Sequence, residues 1–269
     1  MNATPRILAM GGGGFGTSTQ DLPLDLFAAG LTGRDSPSMC LLPTASGDPD
    51  TQIERFYSTF RDVGGQLSHL SLFRLGSWPV SLRKHILRQD LVYVGGGSLV
   101  NLLALWRAHG LDEALGEAWA TGVVLCGVSA GAMCWFEHGV SRSHGGPQRV
   151  QGVGLLPGSL TVHHDSDPGR ALVYREQLDA GMPDGYGLDD GVGLLFEGAE
   201  PVQAVTARDG AGAYRLSSRA GVLDEDPLDV DLLYPADRPA GPGEPVDELR
   251  ELRLRRAVRE RARQRGARG

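Results

Sequence analysis

The stretch from 123 to 136, VVLCGVSAGAMCWF, holds the residues whose types and spacing most clearly indicate chemistry. Within it, Gly127-Val128-Ser129-Ala130-Gly131 forms a G-x-S-x-G pattern between a run typical of a buried strand and a run typical of a helix. A serine at so tight a turn is held in a strained conformation, and glycines two positions to either side avoid clashes. The N–H groups at the start of the helix face a developing oxyanion. The pattern therefore predicts that this turn is a nucleophile elbow and that Ser129 is the nucleophile.

A nucleophilic serine needs a base, and the base needs a group that orients it. The candidate bases are the seven histidines of the chain: His69, His85, His109, His138, His144, His163 and His164. The first three fall in predicted helices or strands, and the next two are expected in a polar loop after the elbow helix. His163 and His164 follow a short apolar segment and stand beside acids, which is typical of an active-site loop.

The order of the candidate residues along the chain narrows the choice of acid. No histidine follows His164, so the order must be serine, histidine, acid, which disfavours an α/β-hydrolase. The acid is then expected downstream, where GLDDG places Asp189 and Asp190 in a turn before an apolar run. Either aspartate could orient the histidine, and the same residues also fit a simple Asp-Gly turn.

The elements that must position these residues alternate between short apolar runs and amphipathic stretches. This pattern predicts an α/β fold with a mostly parallel sheet flanked by helices on both faces. Strands are predicted at 6–10, 38–43, 66–72, 91–94 and 123–128, and helices at 51–63, 80–88, 98–108 and 111–120. Shorter strands, several of them antiparallel, are expected at 152–156, 191–196, 202–206 and 214–216. Ligands bind at the carboxyl ends of strands in such sheets.

Composition excludes several classes of protein. With 269 residues, 41% hydrophobic and 22% charged, the chain is long and apolar enough to bury a core. It has no apolar run of the roughly 20 residues that span a membrane, and its first ten residues lack a signal-peptide pattern, so a cytoplasmic location is expected. A net charge of −7 argues against general nucleic-acid binding. Three cysteines are too few and too scattered for a disulfide framework or a cysteine zinc site.

Two domains of unequal kind are expected. Residues 1–234 form the α/β catalytic domain, and residues 235–269 form a Pro/Gly-rich linker followed by a basic helical tail. The tail holds nine arginines and is expected to be a solvated helix, with an anionic partner as the alternative.

Taken together, these motifs resemble the peptidase E (α-aspartyl dipeptidase) family of serine peptidases, which has a class I glutamine-amidotransferase-like fold. The matching segments are 8–15, 42–47, 92–97, 127–132, His163 and 187–191, in the same order over residues 6–220. A triple glycine after one strand and G-x-S-A-G after the next is specific to such proteins. The resemblance implies hydrolysis of dipeptides or tripeptides through an acyl-enzyme, with no metal or organic cofactor, and a homodimer.

The resemblance also implies roles for individual residues. Ser129 corresponds to the nucleophile and His163 to the base, while Asp190 stands where better-known members have the glutamate of the triad. The oxyanion hole would be formed by the N–H groups of Gly97 and Ala130, and a side chain at Gly97 would block the carbonyl oxygen.

Two further positions bear on the substrate that the resemblance implies. Ser98 stands where the family has an asparagine, so an amide that could bind substrate is missing. Arg175, within Arg-Glu-Gln, resembles the arginine that binds an aspartyl side chain, which implies a preference for N-terminal aspartate.

Three alternatives stay open. Gly11-x-Gly13-x-x-Gly16 also fits a dinucleotide fingerprint with Asp35 beyond it, but the residues that follow lack the required helical run, so close backbone packing is the simpler interpretation. A cyanophycinase-like hydrolase, from the same broader family, would cut Asp-Arg units from a polymer. A catalytically inactive member would bind a small ligand. A glutaminase is disfavoured because the elbow residue is Ser129 rather than a cysteine.

Overall fold

The computed structural model describes residues 4–15, 19–63, 65–77, 81–219 and 222–233. By its contacts the chain divides into Met1–Tyr234 and Pro235–Gly269. The predicted linker and basic helical tail, 235–269, lie outside the described residues. None of the helices in the described ranges is long and apolar enough to cross a membrane.

In the first half of the chain the strands and helices alternate as the pattern predicts, with one exception. A helix forms at Leu22–Gly30, in the segment after the glycine run that was expected to lack one. The strands are β1 (Arg6–Met10), β2 (Met39–Leu42), β3 (Leu67–His69), β4 (Leu91–Val94), β5 (Val124–Val128), β6 (Phe136–His144), β7 (Gly146–Gln151), β8 (Leu156–Val162), β9 (Gly185–Leu188), β10 (Val192–Glu197), β11 (Glu200–Thr206), β12 (Ala213–Arg219), β13 (Val222–Pro227) and β14 (Val230–Leu232). The helices are α1 (Leu22–Gly30), α2 (Asp50–Phe60), α3 (Leu82–Ile86), α4 (Leu99–His109), α5 (Leu111–Ala120), α6 (Ala130–Met133) and α7 (Pro168–Asp179).

The larger sheet has eight strands in the order β14-β11-β10-β1-β5-β4-β2-β3. Strands β1, β5, β4, β2 and β3 run parallel, while β10 pairs antiparallel with both β1 and β11. All four residues of β2 and all four of β4 are buried, which explains their unbroken apolar sequences. The predicted fold class is confirmed.

Helices cover both faces of this sheet because successive strand residues point to opposite sides. On one face, α1 and α2 pack against Leu8, Met10 and Tyr93. On the other, α3, α4 and α5 pack against Ile7 and Val92. The two apolar clusters fix the strand ends, and hence the loops that carry the candidate site.

A second sheet of six strands, in the order β13-β12-β9-β8-β6-β7, was not predicted. His138 and His144 lie in β6, not in the loop that was expected. The strand expected at 152–156 is not found over 152–155, since β7 ends at Gln151 and β8 begins at Leu156. The polar sequence of 136–151 was misleading because an antiparallel hairpin carries polar residues on its exposed face.

Candidate active site

The elbow at Ser129 is strained in the way that the glycine spacing predicts. Ser129 has φ 56° and ψ −112°, a region that residues with a side chain rarely adopt. A Cβ atom at Gly127 would lie 2.1 Å from the carbonyl oxygen of Gly131, and one at Gly131 would lie 2.4 Å from that of Val94. The backbone therefore passes too close on both sides of Ser129 for anything larger than glycine.

His163 lies directly after β8 and reaches the serine from the neighbouring sheet. Its Nε2 is 2.9 Å from Ser129 Oγ, and its side chain is 29% exposed. The backbone of His163 has φ 55°, and its carbonyl oxygen accepts hydrogen bonds from the N–H groups of Ser166 and Asp167. This tight turn directs the imidazole toward the elbow.

The two adjacent aspartates have different partners. Asp190 Oδ1 is 2.6 Å from His163 Nδ1, which completes a hydrogen-bonded series from Ser129 to a carboxylate. Asp189 is buried, and its Oδ2 accepts a hydrogen bond of 2.8 Å from the N–H of Gly212. Burial raises the pKa of Asp189. The geometry thus distinguishes two residues that the sequence left as alternatives.

Sequence reasoning missed the residues that surround Asp190. The Ser166 hydroxyl donates to Asp190 Oδ2 at 3.2 Å, and Arg208 lies 3.9 Å from the same oxygen. The N–H of Asp190 donates to Asp165 Oδ1 at 3.1 Å. Asp165 was visible as an acid beside the histidines, but no local pattern signals Ser166 or Arg208.

The loop from Gly95 to Ser98 lies against Ser129. A Cβ atom at Gly96 would be 3.4 Å from Ser129 Cβ. Neither the N–H of Gly97 nor that of Ala130 donates a hydrogen bond to any residue that the structure describes. Both N–H groups are therefore unpaired within the described part of the chain.

Packing within the protein also requires glycine at position 97. Gly97 has φ 142°, and a Cβ atom there would lie 2.2 Å from the carbonyl oxygen of Ala45 and 2.9 Å from the nitrogen of Ser46. The constraint is packing of the loop on the backbone that follows β2. Helix α6 is also only one turn long, so oxyanion stabilisation would depend on individual N–H groups more than on a long helix dipole.

The glycine run after β1 provides close packing beneath the site. Gly12 forms a parallel bridge with Asp190, and a Cβ atom at Gly12 would lie 1.9 Å from Asp190 Oδ1 and 2.8 Å from His163. Any side chain at Gly12 would displace both groups. This contact accounts for the glycine at position 12.

The two predicted substrate residues differ in their surroundings. Ser98 Oγ accepts a hydrogen bond from the N–H of Asn101 and so caps α4. Arg175 is exposed on α7 and makes no hydrogen bond or ion pair with the described part of the chain. The arginine of α7 that reaches the His163 turn is Arg170, which is buried and donates to the carbonyl oxygen of Val162 at 3.1 Å.

A further charged contact holds the His163 turn. Arg142 on β6 donates two hydrogen bonds of 2.8 and 2.7 Å to Asp167, whose carboxylate also accepts from the N–H of Arg170 and caps α7. The guanidinium of Arg142 lowers the pKa of Asp167 to about 2. The turn is therefore anchored both to the second sheet and to the helix.

The cysteines around the elbow are unsuited to nucleophilic attack. Cys126 and Cys134 are fully buried, and burial raises the pKa of each thiol well above its ordinary value. A thiolate, the reactive form, is therefore disfavoured at both positions. The described residues contain no cluster of three or more histidine, cysteine or acidic side chains that could hold a metal ion.

Comparisons with known proteins agree on one family. The profile of peptidase family S51 matches residues 7–203. The chain is 42% identical over 229 residues to "Uncharacterized peptidase YgaJ" of Bacillus subtilis strain 168, covering 85% of this chain and 99% of YgaJ. A cyanophycinase of Synechococcus elongatus is 26% identical over 204 residues, covering 71% of this chain and 59% of that protein.

Comparison of folds agrees. A solved peptidase from an acI-B1 Actinobacterium matches with a TM-score of 0.66 at 20% identity, covering 85% of this chain and 96% of that one. Because the family profile spans most of the chain and YgaJ matches it almost end to end, the chain belongs to peptidase family S51, as its resemblance to the serine peptidases of the peptidase E family predicted.

Proposed function

We propose that this protein hydrolyses small peptides with Ser129 as nucleophile, His163 as general base and Asp190 as the acid that orients the histidine. The observation that carries the proposal is the hydrogen-bonded series of 2.9 Å from Ser129 Oγ to His163 Nε2 and 2.6 Å from His163 Nδ1 to Asp190 Oδ1. Such a series lets imidazole accept the hydroxyl proton while the carboxylate holds the required tautomer.

The proposed reaction proceeds in two acyl-transfer steps. Ser129 Oγ attacks the scissile carbonyl carbon, its proton passes to His163 Nε2, and the N–H groups of Gly97 and Ala130 bind the oxyanion. The carbon–nitrogen bond then breaks, and the proton on Nε2 passes to the departing amine. Water attacks the resulting ester, giving up a proton to His163. The bond between the acyl carbon and Ser129 Oγ then breaks, the proton on Nε2 returns to Oγ, and the carboxylic product leaves. One oxyanion donor is typically worth about 3–4 kcal/mol.

Dipeptides and tripeptides are the proposed substrates, with N-terminal aspartate as the preferred residue. The support for this preference is the resemblance around Arg175, whose guanidinium is exposed on α7 and matches in sequence the arginine that binds an aspartyl side chain. Ser98, as the cap of α4, keeps its hydroxyl proton available for a substrate carbonyl.

The test is amino-acid release from a panel of Asp-X and neutral dipeptides and tripeptides, with Ser129→Ala as the control. We expect release from the wild type and none above background from Ser129→Ala. If Arg175→Ala hydrolyses Asp-X and neutral peptides in the same ratio as the wild type, the preference for aspartate does not depend on Arg175. No serine-dependent release from any peptide would contradict the peptidase proposal.

A second candidate is a hydrolase that cuts Asp-Arg units from a polymer. It is favoured by the match to a cyanophycinase, although this chain spans only 59% of that protein. Adding the polymer to the same panel separates the two candidates, since the peptidase proposal expects faster serine-dependent release from short peptides. A non-catalytic family member would bind ligand but release nothing from either substrate.

A further inference from the structure

Behind Asp190 lies a second charged pair that the mechanism above does not use. Arg208, just after β11, donates through Nε and a terminal nitrogen to the two carboxylate oxygens of Asp21, at 2.8 and 2.9 Å. Asp21 is completely buried, whereas the side chain of Arg208 is 28% exposed. A two-point contact of this kind holds a guanidinium in one plane and one orientation.

The surrounding backbone is shaped for this pair. A Cβ atom at Gly13 would lie 2.4 Å from Asp21 Oδ2, so the glycine run after β1 leaves space for the buried carboxylate. On the other side, Thr206 Oγ1 accepts a hydrogen bond of 3.0 Å from the N–H of Arg208. Both the backbone and the side chain of Arg208 are therefore held.

The remaining terminal nitrogen of Arg208 faces the candidate site. It lies 3.9 Å from Asp190 Oδ2, the oxygen that also accepts from Ser166, while Oδ1 is the oxygen on His163. The two oxygens of Asp190 thus have different partners on opposite sides. A carboxylate held in this way cannot rotate about its Cβ–Cγ bond without losing the attraction of the cation.

We propose that Arg208, fixed by Asp21, is a positioning residue that holds the Asp190 carboxylate in the orientation that serves His163. The inference rests on the proposed function, because it assigns a role to the acid of that site. Arg208 touches neither the nucleophile nor the base and acts through Asp190 alone. A displacement of about 1 Å in a catalytic group typically costs up to about a hundredfold in rate.

The test compares wild type, Arg208→Met, Arg208→Lys and Asp21→Asn in two measurements. The first is the second-order rate of Ser129 modification by a fluorophosphonate, in which an Oγ–P bond forms, fluoride leaves and His163 takes the proton. The second is kcat and KM on the best peptide of the panel. The matched control is Arg83→Met, which removes another two-point arginine–carboxylate pair, with Glu117, between α3 and α5.

We expect Arg208→Met to lower both the modification rate and kcat about tenfold to a hundredfold with KM within twofold of wild type. Lysine at 208 keeps the charge without the two-point contact, so it should recover part of the loss. Asp21→Asn should also lower the modification rate and kcat. The double variant with Arg208→Met should be little slower than Arg208→Met alone, because both changes release the carboxylate of Asp190.

Two results would overturn the proposal. One is a soluble Arg208→Met with wild-type rates, and the other is an equal loss in Arg83→Met, which would indicate general destabilisation. If Arg208→Met does not fold, Arg208→Lys and Asp21→Asn decide, and wild-type rates in both reject the role. A wild type that the probe does not modify rejects the proposed function, and the positioning role with it.

Discussion

Ser129 and His163 both hold a positive φ, and both lie at the end of a strand where the chain reverses. Each conformation costs of order 1–3 kcal/mol for a residue with a side chain. The cost is met by surrounding contacts, since the N–H of Ser129 donates to Met10 and the carbonyl oxygen of His163 accepts from Asp167. At the residue scale, the candidate site therefore contains two strained positions that backbone hydrogen bonds hold in place.

The difference between Asp189 and Asp190 leads to the first prediction. Asp190→Asn should lower kcat by about a thousandfold to ten-thousandfold, because the amide cannot maintain the imidazole tautomer or stabilise the imidazolium. Asp189→Asn is the matched control, since asparagine keeps an oxygen that can accept from the N–H of Gly212. Steady-state kinetics on the best peptide distinguishes the two, and a larger loss in Asp189→Asn would show that the wrong aspartate has been assigned.

Gly97 gives a second prediction at this scale. Gly97→Ala should abolish most activity, because the added methyl group meets the carbonyl oxygen of Ala45 and the required φ is unfavourable for alanine. Gly30→Ala is the control, as a Cβ atom there has no neighbour within 4 Å among the described residues. The measurement is kcat/KM together with thermal unfolding, and an active Gly97→Ala would contradict the packing argument.

At the scale of elements, the site depends on the turn that joins β8 to α7. Asp167 connects three parts of it by capping α7, accepting from Arg142 on β6 and donating its N–H to His163. The second sheet thereby carries the candidate base, while the larger sheet carries the candidate nucleophile directly after β5 and the glycine loop after β4. A change at Asp167 should act on stability and on the position of His163 together.

Asp167→Ala should lower the free energy of unfolding by about 1 kcal/mol through loss of the helix cap, and should also lower kcat. Because its folded pKa is depressed to about 2 by Arg142, the stabilisation is present above pH 4 and is lost as the pH falls toward 2. Ser81→Ala, which removes the cap of α3, is the control. It should lower the free energy of unfolding by a similar amount without lowering kcat. A loss of kcat in both variants would exclude a specific effect on the turn between β8 and α7.

At the scale of the whole molecule, the pH dependence of stability should reflect a buried acid. Asp25 on α1 is completely buried, and its Oδ1 accepts a hydrogen bond of 2.8 Å from the Tyr93 hydroxyl. Burial raises the pKa of Asp25 to about 7, and the nearby Asp21 adds to the effect. The folded protein therefore retains a proton there that the unfolded chain releases near pH 4.

The sign follows from this difference in bound protons. The contribution of Asp25 is complete below pH 4 and is lost as the pH rises through about 7, by up to about 4 kcal/mol. Asp25→Asn should remove this decline. Its free energy of unfolding should therefore fall less between pH 4 and pH 8 than that of the wild type does. Denaturant unfolding at both pH values checks it, with the exposed Asp35→Asn as control, and parallel pH profiles for Asp25→Asn and wild type would contradict it.

The fold and the strained turn at Ser129 followed from local rules. The bounds of β1, β4 and α5 were predicted correctly, because buried parallel strands and amphipathic helices carry patterns that a short window reveals. Gly127 was also interpretable, since its clash with the carbonyl oxygen of Gly131 is between near neighbours in sequence. The exposed hairpin of β6 and β7 was missed because its polar face resembles a loop.

What the amino-acid sequence determined by itself was therefore the α/β class, the elbow at Ser129 and the family. Only the tertiary structure brought His163 to Asp190 and not to Asp189, and Arg208 to Asp21, since these partners are 27 and 187 residues apart. It also left Arg175 exposed on α7, where its predicted role awaits the substrate test. The physical reason is that adjacent residues such as Asp189 and Asp190 share one local sequence, while their side chains point in different directions. Only the packing of the two sheets decides which side chain meets a distant partner.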